Sequence, residues 1–112
     1  MENISYLGLK KLDDNEIDII NKLTERFYPK VNRNFEGVNL AINIKKYEAE
    51  GKRAKYSIHL KADHPDIKNV LAAKQFDWDL ATALHKTFDN LLNEIKHKFK
   101  KEVVQRKEKK FF

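Results

Sequence analysis

Few side chains in this sequence have the type and spacing needed to make or break bonds. Serine occurs at Ser5 and Ser57, and neither sits in the glycine-flanked setting of a nucleophile elbow. The glycines Gly8, Gly37 and Gly51 are too scattered for a loop that cradles phosphate. His59, His64, His85 and His97 show no i, i+4 ligand spacing. Asp63, His64 and Asp66 surround Pro65, and a turn is the simplest reading of that group. Asp77 and Asp79 form a carboxylate pair that helix capping accounts for in full. There is no cysteine, so disulfides, thiolate catalysis and zinc-thiolate sites are all excluded. The chemistry on offer predicts a binding protein, not an enzyme, with no metal and no cofactor.

What the sequence does offer is localised positive charge. Lysine and arginine number 23 against 17 acids, a net charge of +6. Residues 96–112 carry all of that excess: Lys96, Lys98, Lys100, Lys101, Arg106, Lys107, Lys109 and Lys110 face only Glu102 and Glu108. The first 95 residues are neutral. A cationic block confined to one end seeks a polyanion, although a solvated helix end has the same composition. A second row, Lys22, Arg26, Lys30 and Arg33, repeats at steps of four and three. Like charges at that spacing cost a few tenths of a kcal/mol per pair, so the row invites a binding role. Glu25 lies beside it, and on spacing alone a solvated face is the simpler reading.

These cations depend on two helices and a sheet. From Leu80 the apolar residues fall at Leu84, Phe88, Leu91, Ile95 and Phe99, a single helical stripe. Asp77 is placed to cap this helix, and Asp79 to meet its dipole. A helix reaching Lys110 would be roughly 50 Å long. A compact domain of this size has a radius of gyration of only about 13 Å, so the basic end should overhang the body. Earlier in the chain, Ile4 to Leu9 reads as a first strand. Asp13 followed by Glu16 resembles a capping box and opens a helix with Ile17, Ile20, Leu23 and Phe27 on one face. Pro29 predicts that this helix ends or kinks at Tyr28. Val38 to Lys45 and Arg53 to Ala62 alternate as a hairpin closed by residues 48–52. The open face of that hairpin reads as mildly basic and without an aromatic platform, which argues against a reader of unpaired bases. Ile67 to Gln75 is a fourth strand. Trp78, Phe27, Phe88 and Tyr56 are expected in the core. The predicted fold is α+β: a two-layer β-α-β-β-β-α chain, four strands in one sheet, both helices on one face, and a long basic C-terminal helix. With 41% apolar residues and seven phenylalanines, 112 residues make one real core. No apolar run approaches the ~20 residues of a membrane span, and a soluble cytoplasmic protein is expected.

The element order, the hairpin and the final helix carry a resemblance across residues 4–101. Its most specific part is Asp79-Leu80-Ala81-Thr82-Ala83-Leu84, followed by Leu91, Ile95 and Lys96-His97-Lys98. This pattern resembles the ribosome hibernation-promoting factor and ribosome-associated inhibitor family, in its short form. Ala81 stands where Tyr is usual in that family, His85 where Asp is common, and Asn90 and Asn93 where Lys or Arg is frequent. The resemblance implies a domain over 1–101 with a basic helical extension over 102–112. It also implies a monomer that binds rRNA of the small ribosomal subunit, occupies the mRNA and tRNA channel, and inhibits translation under stress. The residues placed to lie along rRNA phosphates are Lys22, Arg26, Lys30, Arg33, Lys86, Lys96, His97, Lys98, Lys100, Lys101 and Arg106. A general double-stranded RNA binder is the alternative, with Asp77 and Asp79 unfavourable where such a domain opens its last helix. A membrane-surface or protein-partner module, using Phe99, Val103, Val104, Phe111 and Phe112, ranks third.

Overall fold

The computed structural model describes residues 3–48, 53–67 and 69–110, with side chains in the last helix described as far as Lys98. The chain runs β1 (Asn3–Leu7), a 3₁₀ turn (Leu9–Lys11), α1 (Asp14–Asn32), β2 (Asn39–Glu48), β3 (Ala54–Asp63), β4 (Leu71–Asp77) and α2 (Leu80–Lys110). The four strands form one sheet in the order β1-β2-β3-β4. β1 pairs parallel with β2 across the α1 crossover, and the other two pairings are antiparallel. This is the predicted two-layer α+β architecture. The connection between β2 and β3, residues 49–52, lies outside the described residues, as do Phe111 and Phe112.

One face of the sheet carries the core. Leu40, Ile42 and Ile44 of β2, Ile58, Leu60 and Ala62 of β3, and Ala73 of β4 are buried in a single cluster. α1 adds Ile20, Phe27, Tyr28 and Val31, and α2 adds Leu80, Ala83, Leu84, Phe88, Leu91 and Ile95. Two-residue periodicity in the strands and three-to-four-residue steps in the helices aim both sets at one layer boundary. Phe27 stacks on Phe88 with centroids 4.9 Å apart, which joins the helices to each other. Ala73 and Ala83 are buried and small, so α2 can lie close over β4.

The capping box forms as predicted. Asp13 Oδ1 accepts from Glu16 N–H at 2.8 Å, and Glu16 Oε1 accepts from Asp13 N–H at 3.0 Å. Glu16 reaches further, accepting from Lys46 Nζ at 3.0 Å and from the Tyr56 hydroxyl, and so anchors the start of α1 to β2 and β3. The carboxyl is held below its ordinary range. Burial pushes it up, but the donors Tyr56, Asp13 N–H and Lys46 outweigh that. Burial, and then the Glu16 carboxylate to which it donates, raise the Tyr56 phenol.

Five expectations need correction. α1 does not end at Tyr28; it passes through Pro29 to Asn32. Proline forfeits one hydrogen bond in the last turn, but buried Tyr28 and Val31 hold the turn on the sheet, and the Tyr28 hydroxyl donates to Val38 C=O at 2.9 Å. β1 stops at Leu7, because Gly8 adopts φ 90° and turns the chain into the 3₁₀ segment. β4 lies at Leu71–Asp77 and not at 67–75, so α2 starts at Leu80 and Asp79, not Asp77, caps it. Asp79 Oδ2 accepts from Thr82 N–H at 2.9 Å. Trp78 is not core: it is 48% exposed.

Candidate nucleic-acid interface

The outer surface of the helical layer gathers most of the predicted cations. On α1, Lys22, Arg26 and Lys30 are exposed, and Arg33 follows at the C-terminal cap. Their steps place them opposite the stripe of Ile20, Thr24, Phe27 and Val31, which faces the sheet. Acids interrupt the ridge. Lys22 pairs with Asp18 at 3.0 Å, an exposed i, i+4 contact worth only a few tenths of a kcal/mol. Lys30 lies 5.1 Å from the Phe27 ring centroid, with its ammonium at the surface.

On α2 the predicted residues separate. Lys86 is half exposed, but its Nζ donates to Asp77 Oδ2 at 2.7 Å, so it is already engaged. That contact, with the Asp79 N–H, keeps the Asp77 carboxyl below its ordinary range. Lys96 and His97 are exposed, whereas Lys98 continues the core-facing stripe after Ile95 and is half-buried. The side chains of Lys100, Lys101 and Arg106 lie outside the described residues. Ile95 is the last buried residue described, and α2 continues to Lys110, about 22 Å further along its axis. The molecule's longest dimension is 63 Å, with a radius of gyration of 16.3 Å, as an overhanging helix requires.

The other side of the sheet carries no helix. The open face of the hairpin, expected to carry no aromatics, carries Tyr47 of β2, and the neighbouring β4 adds Phe76. Tyr47, Phe76 and Trp78 are each about half exposed, at 51%, 47% and 48%. Strand alternation puts Tyr47 and Phe76 on the face away from the helices, together with Lys45, Lys55, Lys61 and Lys74. The missed signal is the period-two run Lys74, Phe76, Trp78, which a strand ending at Gln75 cuts in half. Among the described residues no group of three or more acidic or histidine side chains could hold a metal ion. His64 instead pins its turn, with Nδ1 accepting from Asp66 N–H at 3.0 Å and Nε2 set 2.8 Å from Glu36 C=O. No helix is long and apolar enough to cross a membrane among the described residues.

No protein-family model matches the chain, and no curated protein matches it. Among solved structures, the crystal structure of the Thermus thermophilus Protein Y N-terminal domain superposes with a TM-score of 0.53 at 20% identity. The alignment covers 86% of this chain and 96% of that one. At that TM-score and with near-complete coverage of both chains, the chain has the fold of the Protein Y N-terminal domain.

Proposed function

We propose that this chain binds the small ribosomal subunit and holds idle ribosomes out of translation by occupying the channel used by mRNA and tRNA. The fold shared with the Protein Y N-terminal domain carries the reading, because it is the fold that the sequence resemblance to hibernation factors implies. Charge supports it. α2 continues from Ile95, the last buried side chain described, to Lys110, and residues 96–112 hold a net +6. A helix rich in lysine can lie along rRNA phosphates, which fix position without reading sequence. The α1 ridge supplies further cations on the same layer. The action is steric, without catalysis, and belongs to the cytoplasm, where ribosomes work.

Reversing charge at Lys96, Lys98 and Lys101 together tests the interface. The triple glutamate variant is expected to keep its fold, read by circular dichroism, and to lose subunit binding in sedimentation. A folded variant that binds as the parent does overturns the helix-end interface. A duplex-RNA binder would lose naked duplex and subunit together. The carboxylates of Asp77 and Asp79 at the start of α2 disfavour that second reading.

A further inference from the structure

The sheet face away from the helices is more basic than the described part of the helical layer. Among the described residues its charged side chains are Lys45, Arg53, Lys55, Lys61 and Lys74 against Asp63, five cations to one acid. The register sets these residues in rows. Lys45 pairs with Ser57 and Ser57 with Phe76; Asn43 pairs with His59 and His59 with Lys74. Asn43, Lys45, Ser57, His59 and Lys74 line a shallow pocket, and the Phe76 ring stands beside it. Burial first, and then Lys61, Lys74 and Lys45, lower the His59 pKa, so the imidazole is neutral near pH 7 and the lysines supply the pocket's charge.

The rings are flanked by cations. Lys55 lies 5.2 Å and Lys74 5.4 Å from the Phe76 centroid, and Arg53 lies 5.3 Å from that of Trp78. Such contacts can simply solvate exposed rings. Two features exceed that role: Phe76 adjoins a cation-lined pocket, and the charge over the described part of the face is one-sided. Planar rings interleaved with cations match a ligand with flat apolar faces joined by negative charges. An unpaired nucleic acid has that chemistry, whereas a duplex keeps its base faces stacked inside. Asn43, half-buried at the pocket wall, adds an amide suited to a ribose hydroxyl.

We propose that the open face of the sheet binds single-stranded RNA, stacking bases on Phe76 and Trp78 and holding a backbone phosphate at the pocket between Lys45 and Lys74. This site is separate from the helical interface and does not rest on the ribosome reading. It would let the chain hold a segment of unpaired RNA while the helical layer faces another surface.

Trp78 is the only tryptophan and lies within the site, so its fluorescence reports directly. The full chain is titrated with an eight-nucleotide oligouridine, and with an RNA duplex at equal nucleotide concentration. Saturable quenching by the single strand, stronger than by the duplex, is expected. Phe76→Leu keeps apolar bulk but removes the ring, and should weaken binding about tenfold. Phe76→Tyr restores the stacking surface and should restore affinity, which separates stacking from folding defects. Lys45→Glu with Lys74→Glu should weaken binding and flatten its salt dependence. Lys96→Glu with Lys98→Glu should leave quenching nearly unchanged, even if ribosome sedimentation is lost. Absence of quenching, equal quenching by the duplex, or parental affinity in Phe76→Leu would each overturn the proposal.

Discussion

Substitution of Glu16 tests how the helical layer is fixed to the sheet. Its carboxylate accepts from Asp13 N–H at 3.0 Å, from Lys46 Nζ at 3.0 Å, and from the Tyr56 hydroxyl. The Glu16 and Lys46 side chains are only 9% and 15% exposed, so solvent screens the pair weakly. Glu16→Gln keeps the size and one acceptor but removes the charge. Hydrogen bonds to a charged group are each worth about 1 kcal/mol more than neutral ones, and of the three the loss falls mainly on the two side-chain bonds, from Lys46 and Tyr56. Losing an anion from the first helical turn adds about 0.5 kcal/mol. The expected loss is about 2–3 kcal/mol, or about 10 °C in Tm for a domain of this size. The pH dependence has a definite sign. The folded carboxyl titrates below its ordinary value of 4.5, so its contribution is complete above the unfolded pKa and disappears as pH falls through the folded one. Thermal unfolding by circular dichroism should therefore show a gap of about 10 °C at pH 7 that narrows steadily below pH 4.5. A variant as stable as the parent at pH 7, or a gap unchanged in acid, would refute the assigned role of the Glu16 charge.

Other perturbations have equally definite outcomes. Gly8→Ala places a Cβ only 2.0 Å from the Ile44 carbonyl oxygen, at φ 90°, so a loss of more than about 2 kcal/mol is expected in urea unfolding. Thr24 Oγ1 is buried with no hydrogen-bond partner among the described residues, and Thr24→Val should stabilise the chain by about 1 kcal/mol in the same assay. Phe88→Ala removes a fully buried ring that stacks on Phe27, and should cost about 3–5 kcal/mol. Removing Lys61 or Lys74 should raise the His59 pKa in an NMR titration, yet leave it below 6.5, because burial remains the larger cause.

The parts of this fold set by local pattern were legible in the residues. Leu40, Ile42 and Ile44 alternate with polar neighbours and stand on the core face, and Ile58 and Leu60 do the same on β3. Asp13 and Glu16 announce α1 through spacing alone. Features decided by tertiary contact were not legible. Pro29 disfavours a helix locally, but Tyr28 and Val31 gain more by burial than the missing hydrogen bond costs. β4 has weak alternation because Ala72 and Ala73 are small, and one of them must be small for α2 to approach. Misplacing that strand hid Phe76 from view and made Trp78 look like core. The basic block after Lys96 was plain from charge, whereas the open-face cluster joins Lys45, Lys55, Lys61 and Lys74 from three strands and exists only once the register is known.

The proposed recognition of a shaped site on the small ribosomal subunit can be tested by sedimentation with purified subunits at low and high salt. An equal mass of duplex RNA serves as competitor. Co-sedimentation is expected to survive the duplex and to weaken with salt, with a log–log slope of about −0.7 to −0.9 per phosphate neutralised. Failure to co-sediment at any salt would contradict the claim, and binding surrendered wholly to the duplex would reduce the chain to a general polyanion binder.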